Sequence, residues 1–152
     1  MPMSDEPDPY IADVTALTVN ALKTAASEPS VKRVVLTSSS MAAVNPAPDV
    51  PRTVTPSTWN NEVVEEAWSP SSNADRTMTI YGASKMSAEK RAWEWMEENS
   101  PAFVLNSVLP NTNFGPAVDK RHAFSSTDAM LKSAYDGLAD DMDSDPPRKV
   151  QL

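Results

Sequence analysis

The chain has 152 residues, 40% of them hydrophobic, so it is long enough to bury the core of one domain. Its formal net charge of −8 argues against nucleic acid as a partner, because phosphate binding needs clustered lysines and arginines. The lack of cysteine excludes disulfides and thiolate metal sites, and the lone histidine, His122, is interpreted as a surface residue, so we expect no metal.

A helix and a strand are the first regular elements that the sequence predicts. Residues 1–10 are acidic and rich in proline, so we expect them to be irregular. Asp13 is a suitable N-cap, and apolar residues at helical spacing predict a helix to about Ala26, which Pro29 ends. Within Val31–Ser38, Val34, Val35 and Leu36 form a continuous apolar run without alternating polar residues, which predicts an interior strand of a parallel sheet with both faces covered.

Small hydroxyl side chains follow this strand at its carboxyl end, in the run Thr37-Ser38-Ser39-Ser40. Ligands of open α/β sheets bind outside the carboxyl ends of strands, which makes these hydroxyls candidates for a binding site. Serine and threonine also end strands without any function, and position alone leaves both interpretations open.

A long loop separates this strand from the next long helix. Met41–Thr79 is mostly irregular and rich in proline, and a loop of this length in a small domain is usually functional or partly disordered. Within it, Ser57–Trp68 is expected to form a short helix, with Ser57 or Thr58 as its cap.

A tyrosine and a lysine, Tyr81 and Lys85, stand four residues apart where the second long helix opens. Residues at this spacing share one face of a helix, with roughly 5–6 Å between their Cβ atoms. A nearby positive charge favours the ionised phenol, so the pair can serve as a general acid/base for interconversion of a carbonyl and an alcohol. The same spacing is also compatible with an ordinary aromatic–cation pair on a surface helix.

This helix is expected to run to about Asn99, and its two sides differ in character. Methionine, alanine and tryptophan supply the buried side (Met86, Ala88, Ala92, Trp93, Met96), and charged residues supply the exposed side (Glu89, Lys90, Arg91, Glu94, Glu97, Glu98). A second buried strand, Phe103–Leu109, stops at Pro110.

A third helix follows, from Ser126 or Asp128 to about Leu138, with Met130, Leu131, Ala134 and Tyr135 inward. Residues 140–152 form an acidic, proline-rich tail. The alternation of helices and strands predicts right-handed βαβ connections in a parallel sheet.

Three segments carry a resemblance to a known family: Val31–Ser39 (VKRVVLTSS), Tyr81–Lys85 (YGASK) and Leu105–Asn111 (LNSVLPN). In this order and spacing they resemble the extended short-chain dehydrogenase/reductases, and most closely fungal NADPH-dependent aldehyde/ketone reductases. That branch is related to plant dihydroflavonol and cinnamoyl-CoA reductases. The resemblance covers roughly Ala12 to Pro147.

The resemblance implies roles for individual residues. Ser39 matches the catalytic serine that hydrogen-bonds the substrate carbonyl, and Tyr81 matches the proton donor. Lys85 matches the lysine that favours ionisation of the tyrosine and holds the nicotinamide ribose. The loop that borders the nicotinamide matches Pro110, Asn111, Thr112 and Asn113. Ser38 and Ser40 are interpreted as structural.

One departure from the family concerns the cofactor. The family begins with a strand and a Gly-x-x-Gly-x-x-Gly turn that seats the pyrophosphate, whereas the glycines of this chain are Gly82, Gly115 and Gly137. The resemblance therefore implies a partial Rossmann-like, doubly wound parallel sheet without the N-terminal glycine-rich βαβ unit, as one partial NAD(P)-binding domain over residues 1–152. Such a slice would expose strand edges, through which copies of the chain could associate.

The function that the resemblance implies is NAD(P)H-dependent reduction of a small-molecule aldehyde or ketone by a truncated Ser-Tyr-Lys oxidoreductase. NADPH is the expected cofactor, with NADH as the alternative. Two other interpretations stay open: an epimerase or dehydratase of the same family, and a non-catalytic remnant or partner-binding fragment. We expect a cytoplasmic protein without membrane contact, because no run approaches the ~18 apolar residues of a membrane span and Met1–Glu6 lacks the pattern of a signal peptide.

Overall fold

The computed structural model describes residues 7–45, 50–69, 76–115, 119 and 127–137. The elements are α1 (Pro7–Ala26), β1 (Arg33–Thr37), a 3-10 turn (Ser40–Ala42), α2 (Asn61–Ala67), α3 (Arg76–Asn99), β2 (Val104–Val108) and α4 (Thr127–Tyr135). They divide into two compact units, 1–111 and 112–152, and α4 lies in the second. The prediction of a single domain over residues 1–152 stays a prediction. None of the described helices is long and apolar enough to cross a membrane.

The first helix, α1, begins earlier than its sequence pattern predicts. It starts at Pro7, so residues 7–10, which were expected to be irregular, are helical, and Asp13 lies inside the helix instead of capping it. Proline is well tolerated in the first turn, because the N–H that it lacks has no partner there within the helix. The end at Ala26 agrees with the prediction.

The two strands form a parallel pair whose register runs from Arg33 opposite Val104 to Thr37 opposite Val108. Helix α3 connects the strands, and α1 packs along it. The result is the predicted partial Rossmann-like α/β arrangement. Its main core contains one residue from α1, two from α3 and two from the chain at β2: Leu22, Ala92, Trp95, Phe103 and Leu105.

The opposite face of the sheet is exposed, so the prediction that both faces of the first strand are covered is wrong for the described residues. Val35, Val104 and Val108 are 55%, 51% and 51% exposed. A continuous apolar run indicates that a strand can be buried on both sides, but burial needs an element on each side, and α1 and α3 pack against Val34 and Leu36 on one face. Association of copies through the sheet stays a prediction.

Helix α3 is longer and more widely buried than its pattern predicts. It begins at Arg76, so Tyr81 lies in the second turn and not at the opening. Glu89, expected on the exposed side, is 4% exposed, and the Ser107 hydroxyl donates to its Oε1 at 2.6 Å. Trp95 is the deeply buried tryptophan of this helix, and Trp93 is half-buried. The buried stripe is wide because α1, α2 and the sheet all pack against this helix.

The two shorter helices also differ from expectation. Helix α2 spans Asn61–Ala67, and its N-cap is Asn60 instead of the expected Ser57 or Thr58. The Thr58 hydroxyl accepts the backbone N–H of Thr55 at 2.9 Å in a local turn before the helix. In α4, Leu131 and Tyr135 were expected to point inward, but they are 46% and 92% exposed. Residues 140–152 and His122 lie outside the described residues.

The main core, which contains Trp95 and Phe103, should contribute most to the free energy of unfolding. Trp95 is 5% exposed and its ring stacks on Phe103, with centroids 6.5 Å apart. Replacing Trp95 with alanine is expected to lower the free energy of unfolding by about 3–5 kcal/mol, measured by urea denaturation. Trp68, which is 53% exposed, is the control, and its replacement should change that energy by about 0.5 kcal/mol or less. Equal losses in both variants would contradict this description of the core.

Candidate active site

The loops that follow the two strands meet at the carboxyl end of the sheet. The Ser38 N–H donates to the Val108 carbonyl at 2.9 Å, and the Ser40 N–H donates to the Pro110 carbonyl at 3.0 Å. Pairing between the two chain segments therefore continues beyond the strands. As a result, Ser39 and Pro110 lie in adjacent loops at the edge where ligands of parallel sheets bind.

The predicted nicotinamide loop is divided between the two compact units. Pro110 is half-buried and Asn111 is exposed, and both belong to the unit that contains Ser39. Thr112 and Asn113 are exposed residues of the second unit. The structure thus brings Pro110 to the serine loop, and the cofactor-binding roles of all four residues stay predictions.

Ser39 is buried and its hydroxyl is held by the backbone that follows. It is 7% exposed and caps the 3-10 turn, with its Oγ accepting the Met41 N–H at 3.3 Å. A serine hydroxyl can accept such a bond and still donate its own proton to another acceptor. Ser39 is therefore chemically suited to donate to a carbonyl oxygen.

Tyr81 and Lys85 lie one turn apart on α3, and both are half-buried. The Lys85 Nζ is 5.7 Å from the centroid of the Tyr81 ring, within the range of a cation–π contact. The same Nζ donates to the Thr37 carbonyl at 3.4 Å. The ammonium group is thus held between the tyrosine and the end of the strand that leads into Ser39.

The three residues between this tyrosine and lysine are small and buried: Gly82, Ala83 and Ser84. The Ser84 hydroxyl donates to the Tyr81 carbonyl at 2.7 Å. A Cβ at Gly82 would lie 2.9 Å from both Met41 Cε and Val63 Cγ2. The turn after Ser39 and helix α2 therefore pack directly on α3 beside Tyr81, an approach that needs a residue without a side chain.

Asn60 is a residue of the site region that the sequence analysis missed. It is 4% exposed, and its Nδ2 donates to the Met41 carbonyl at 2.9 Å and to Asn45 Oδ1 at 2.7 Å. Its Oδ1 accepts the Val63 N–H at 3.2 Å, and its own N–H donates to the Ala42 carbonyl at 2.9 Å. Asparagine is a strong N-cap, so its position just before the apolar run of α2 was the available signal.

Two grooves on the described surface, of about 510 and 470 Å³, are lined by other residues than the three candidates. The first follows α2 and α3, and the second lies beside Trp59. Neither groove is lined by Ser39, Tyr81 or Lys85. The candidate site is therefore defined here by the hydrogen bonds and contacts of these side chains.

The residues of the site fit one end of a nicotinamide dinucleotide. An ammonium group carries three donors, and the bond from Lys85 to Thr37 uses one, which leaves donors for ribose hydroxyls. Gly82 lies inside α3 and accommodates Met41 and Val63, so it belongs to no phosphate-binding turn. Lys85 is therefore suited to hold a ribose, and the described residues show no glycine-rich cradle for the pyrophosphate.

Comparison with known proteins identifies relatives of this arrangement. No model of a known protein family matches the chain. The chain is 39% identical to aldehyde reductase 2 of Sporidiobolus salmonicolor over 136 residues, and 41% identical to ketoreductase adrE of Penicillium rubens over 114 residues. It is a relative of the extended short-chain dehydrogenase/reductases. It is also 40% identical over 111 residues to the NAD-dependent epimerase/dehydratase terH of Aspergillus terreus, so the resemblance to this family is confirmed.

These relatives of the short-chain dehydrogenase/reductase family are longer than the chain. The matches cover 88%, 69% and 72% of this chain, but 40%, 31% and 33% of aldehyde reductase 2, adrE and terH. A solved reductase, from structure-guided engineering to attenuate substrate inhibition in asymmetric catalysis, matches with a TM-score of 0.63 at 28% identity. That match covers 76% of this chain and 35% of the reductase, and it confirms the partial Rossmann-like fold.

Proposed function

We propose that the chain carries the catalytic centre of a nicotinamide-dependent carbonyl reductase of the Ser-Tyr-Lys type. The observation that supports this most directly is the position of Lys85, whose Nζ contacts both the Tyr81 ring and the Thr37 carbonyl two residues before Ser39. The names of the relatives, which include an aldehyde reductase and ketoreductases, support the same reaction class.

The cofactor side of the site is proposed to consist of Lys85, Tyr81 and Pro110, with Asn111, Thr112 and Asn113 as further predicted contacts. Lys85 would bind the ribose hydroxyls, and Pro110 would border the nicotinamide. When bound, the nicotinamide supplies a hydride to the carbonyl carbon of the substrate. NADPH is the proposed cofactor, with NADH as the alternative.

The substrate side is proposed to use two hydroxyl groups. The Ser39 hydroxyl donates a hydrogen bond to the carbonyl oxygen, which stabilises the negative charge that develops there. The Tyr81 hydroxyl then gives its proton to that oxygen, so that the product is an alcohol and the tyrosine is left as a phenolate. The Lys85 ammonium stabilises this phenolate by its charge. The substrate would be a small-molecule aldehyde or ketone, and location in the cytoplasm stays a prediction.

Epimerase or dehydratase chemistry is the second candidate, because terH and tndE of Aspergillus flavipes carry that name. An acidic residue close to the tyrosine or serine motif would favour dehydration, and Ser38–Met41 contains none. The first acidic residue after Lys85 is Glu89, which is buried and accepts the hydroxyl of Ser107 in the core. This engagement favours the reductase.

The deciding experiment is binding of NADPH to the 152-residue chain, followed by the increase in nicotinamide fluorescence. We expect saturable binding and, in a screen of aldehydes and ketones, loss of NADPH absorbance at 340 nm with formation of the alcohol. Saturable binding with a dehydrated product and no net oxidation of NADPH would favour the second candidate. A folded chain that binds no NADPH would contradict the proposal and favour a non-catalytic remnant.

A further inference from the structure

We propose that Asn60 and Gly82 are positioning residues that together fix the Ser39 hydroxyl relative to helix α3, which carries Tyr81. This inference rests on the proposed function, because it concerns the geometry of the same Ser39 and Tyr81. Neither residue needs to touch substrate or cofactor. Both act on the 3-10 turn Ser40–Ala42, which follows the serine.

Gly82 allows the turn to lie on α3 directly beside the tyrosine. It is buried in the interior of a helix, where alanine is ordinarily the better residue. A Cβ there would come within 2.9 Å of Val63 Cγ2 and 2.9 Å of Met41 Cε. Met41 Cε is the end of a flexible side chain and can move away, whereas the β-branched Val63 is stiff. A methyl group at position 82 would therefore displace α2 or the turn.

A short series of contacts connects this glycine to the serine hydroxyl. The side chain of Met41 lies against Gly82, with Met41 Cβ 3.5 Å from the position of a Cβ on the glycine. The N–H of the same Met41 donates to Ser39 Oγ at 3.3 Å. Displacement of Met41 would therefore move or release the hydroxyl that should meet the substrate oxygen, while Tyr81 stays fixed on α3.

Asn60 fastens the same turn from the other side. Its side-chain Nδ2 donates to the carbonyl of Met41, and its backbone N–H donates to the carbonyl of Ala42. Its side-chain oxygen caps α2 by accepting from Val63, the residue that packs on Gly82. Because Asn60 is 4% exposed, water cannot readily replace these bonds when they are lost. The turn, α2 and α3 are thus joined around one point beside the tyrosine.

Replacing Asn60 with aspartate separates the two roles of this side chain. Aspartate keeps the capping oxygen for α2, but it lacks the amide donors to Met41 and Asn45. We expect kcat to fall by about 10- to 100-fold, since a small misplacement of a catalytic group can cost about 100-fold, with the Kd for NADPH unchanged. The matched control is Asn61→Asp, the same change one residue later on an exposed position, which should leave both values unchanged.

Gly82→Ala should also lower kcat without weakening NADPH binding. Combining it with Val63→Ala removes the stiff methyl group that lies 2.9 Å away, so the double variant should recover activity to the level of Val63→Ala alone. A glycine that merely weakens the helix would give the opposite result, because alanine would then stabilise the chain without loss of kcat.

Amide hydrogen exchange gives a readout that does not depend on activity. The N–H groups of Met41, Ala42 and Ala43 are bonded within the turn and should exchange faster in Asn60→Asp and in Gly82→Ala, but not in Asn61→Asp. If the chain shows no NADPH binding or turnover, the proposed function fails, while hydrogen exchange still decides whether Asn60 and Gly82 hold the turn. Unchanged exchange in both variants would overturn the inference, and so would unchanged kcat in an active chain.

Discussion

Replacing Tyr81 with phenylalanine is expected to lower carbonyl reduction by about 100- to 10,000-fold, the usual contribution of general acid/base catalysis. The change removes only the hydroxyl group that gives its proton to the developing alkoxide. The ring, which lies 5.7 Å from the Lys85 ammonium, is retained, so the free energy of unfolding should change little. Steady-state turnover at saturating NADPH, together with urea denaturation, measures both effects.

Tyr135→Phe is the matched control for this prediction. Tyr135 is 92% exposed and belongs to the second compact unit, so losing its hydroxyl should leave turnover unchanged. Undiminished reduction by the Tyr81→Phe variant would show that another group supplies the proton, and the proposed mechanism would have to be abandoned.

Replacing Lys85 with methionine is expected to weaken NADPH binding by tenfold or more and to slow turnover at saturating cofactor. A hydrogen bond from a charged group contributes about 1.5–3 kcal/mol, and about 1.4 kcal/mol corresponds to tenfold in Kd. Turnover should fall as well, because the ammonium beside Tyr81 is lost and the phenolate is no longer stabilised. A fluorescence titration gives the Kd, and single-turnover kinetics separate the slower chemistry from weaker binding.

Lys90→Met on the same helix is the control for this change. Lys90 is exposed, so its replacement should affect neither the Kd nor the rate. A Lys85→Met variant with lower thermal stability but normal NADPH binding would identify Lys85 as a structural lysine that only ties α3 to the end of β1.

The contact between Lys85 and Thr37 lies within one compact unit of the chain. The serine, the tyrosine and the lysine all lie in the first compact unit, on or beside the β1–α3–β2 connection. Two clusters of buried residues pack along that connection. One is the main core, which also includes Leu22 of α1, and the other contains Ala42, Val63, Ala67, Ala83 and Met86. The geometry of the three side chains therefore depends on packing within this unit.

Local patterns of the sequence were sufficient for the order of the elements and for where the candidate residues lie on them, whereas their proposed roles rest on the family resemblance. A spacing of four on a helix places Tyr81 and Lys85 on one face, whatever packs around that helix. Likewise, an apolar run that ends in hydroxyl residues places Ser39 at the carboxyl end of a strand. Both predictions depend on spacing within one element, which the backbone geometry of helices and strands determines by itself.

Contacts between elements were decided only by the tertiary structure. Glu89 has the charge of an exposed residue, yet α3 is covered on several sides and Ser107 meets the carboxylate in the core. The continuous apolar run around Val35 predicts burial on both faces of the strand, but Val35 lies on an exposed face because no described element packs there. Asn60 acquires its role from Met41, 19 residues earlier in the chain. The periods of helices and strands predict which residues of one element share a face. They cannot predict such pairs, because the pairs join different elements and depend on how those elements pack.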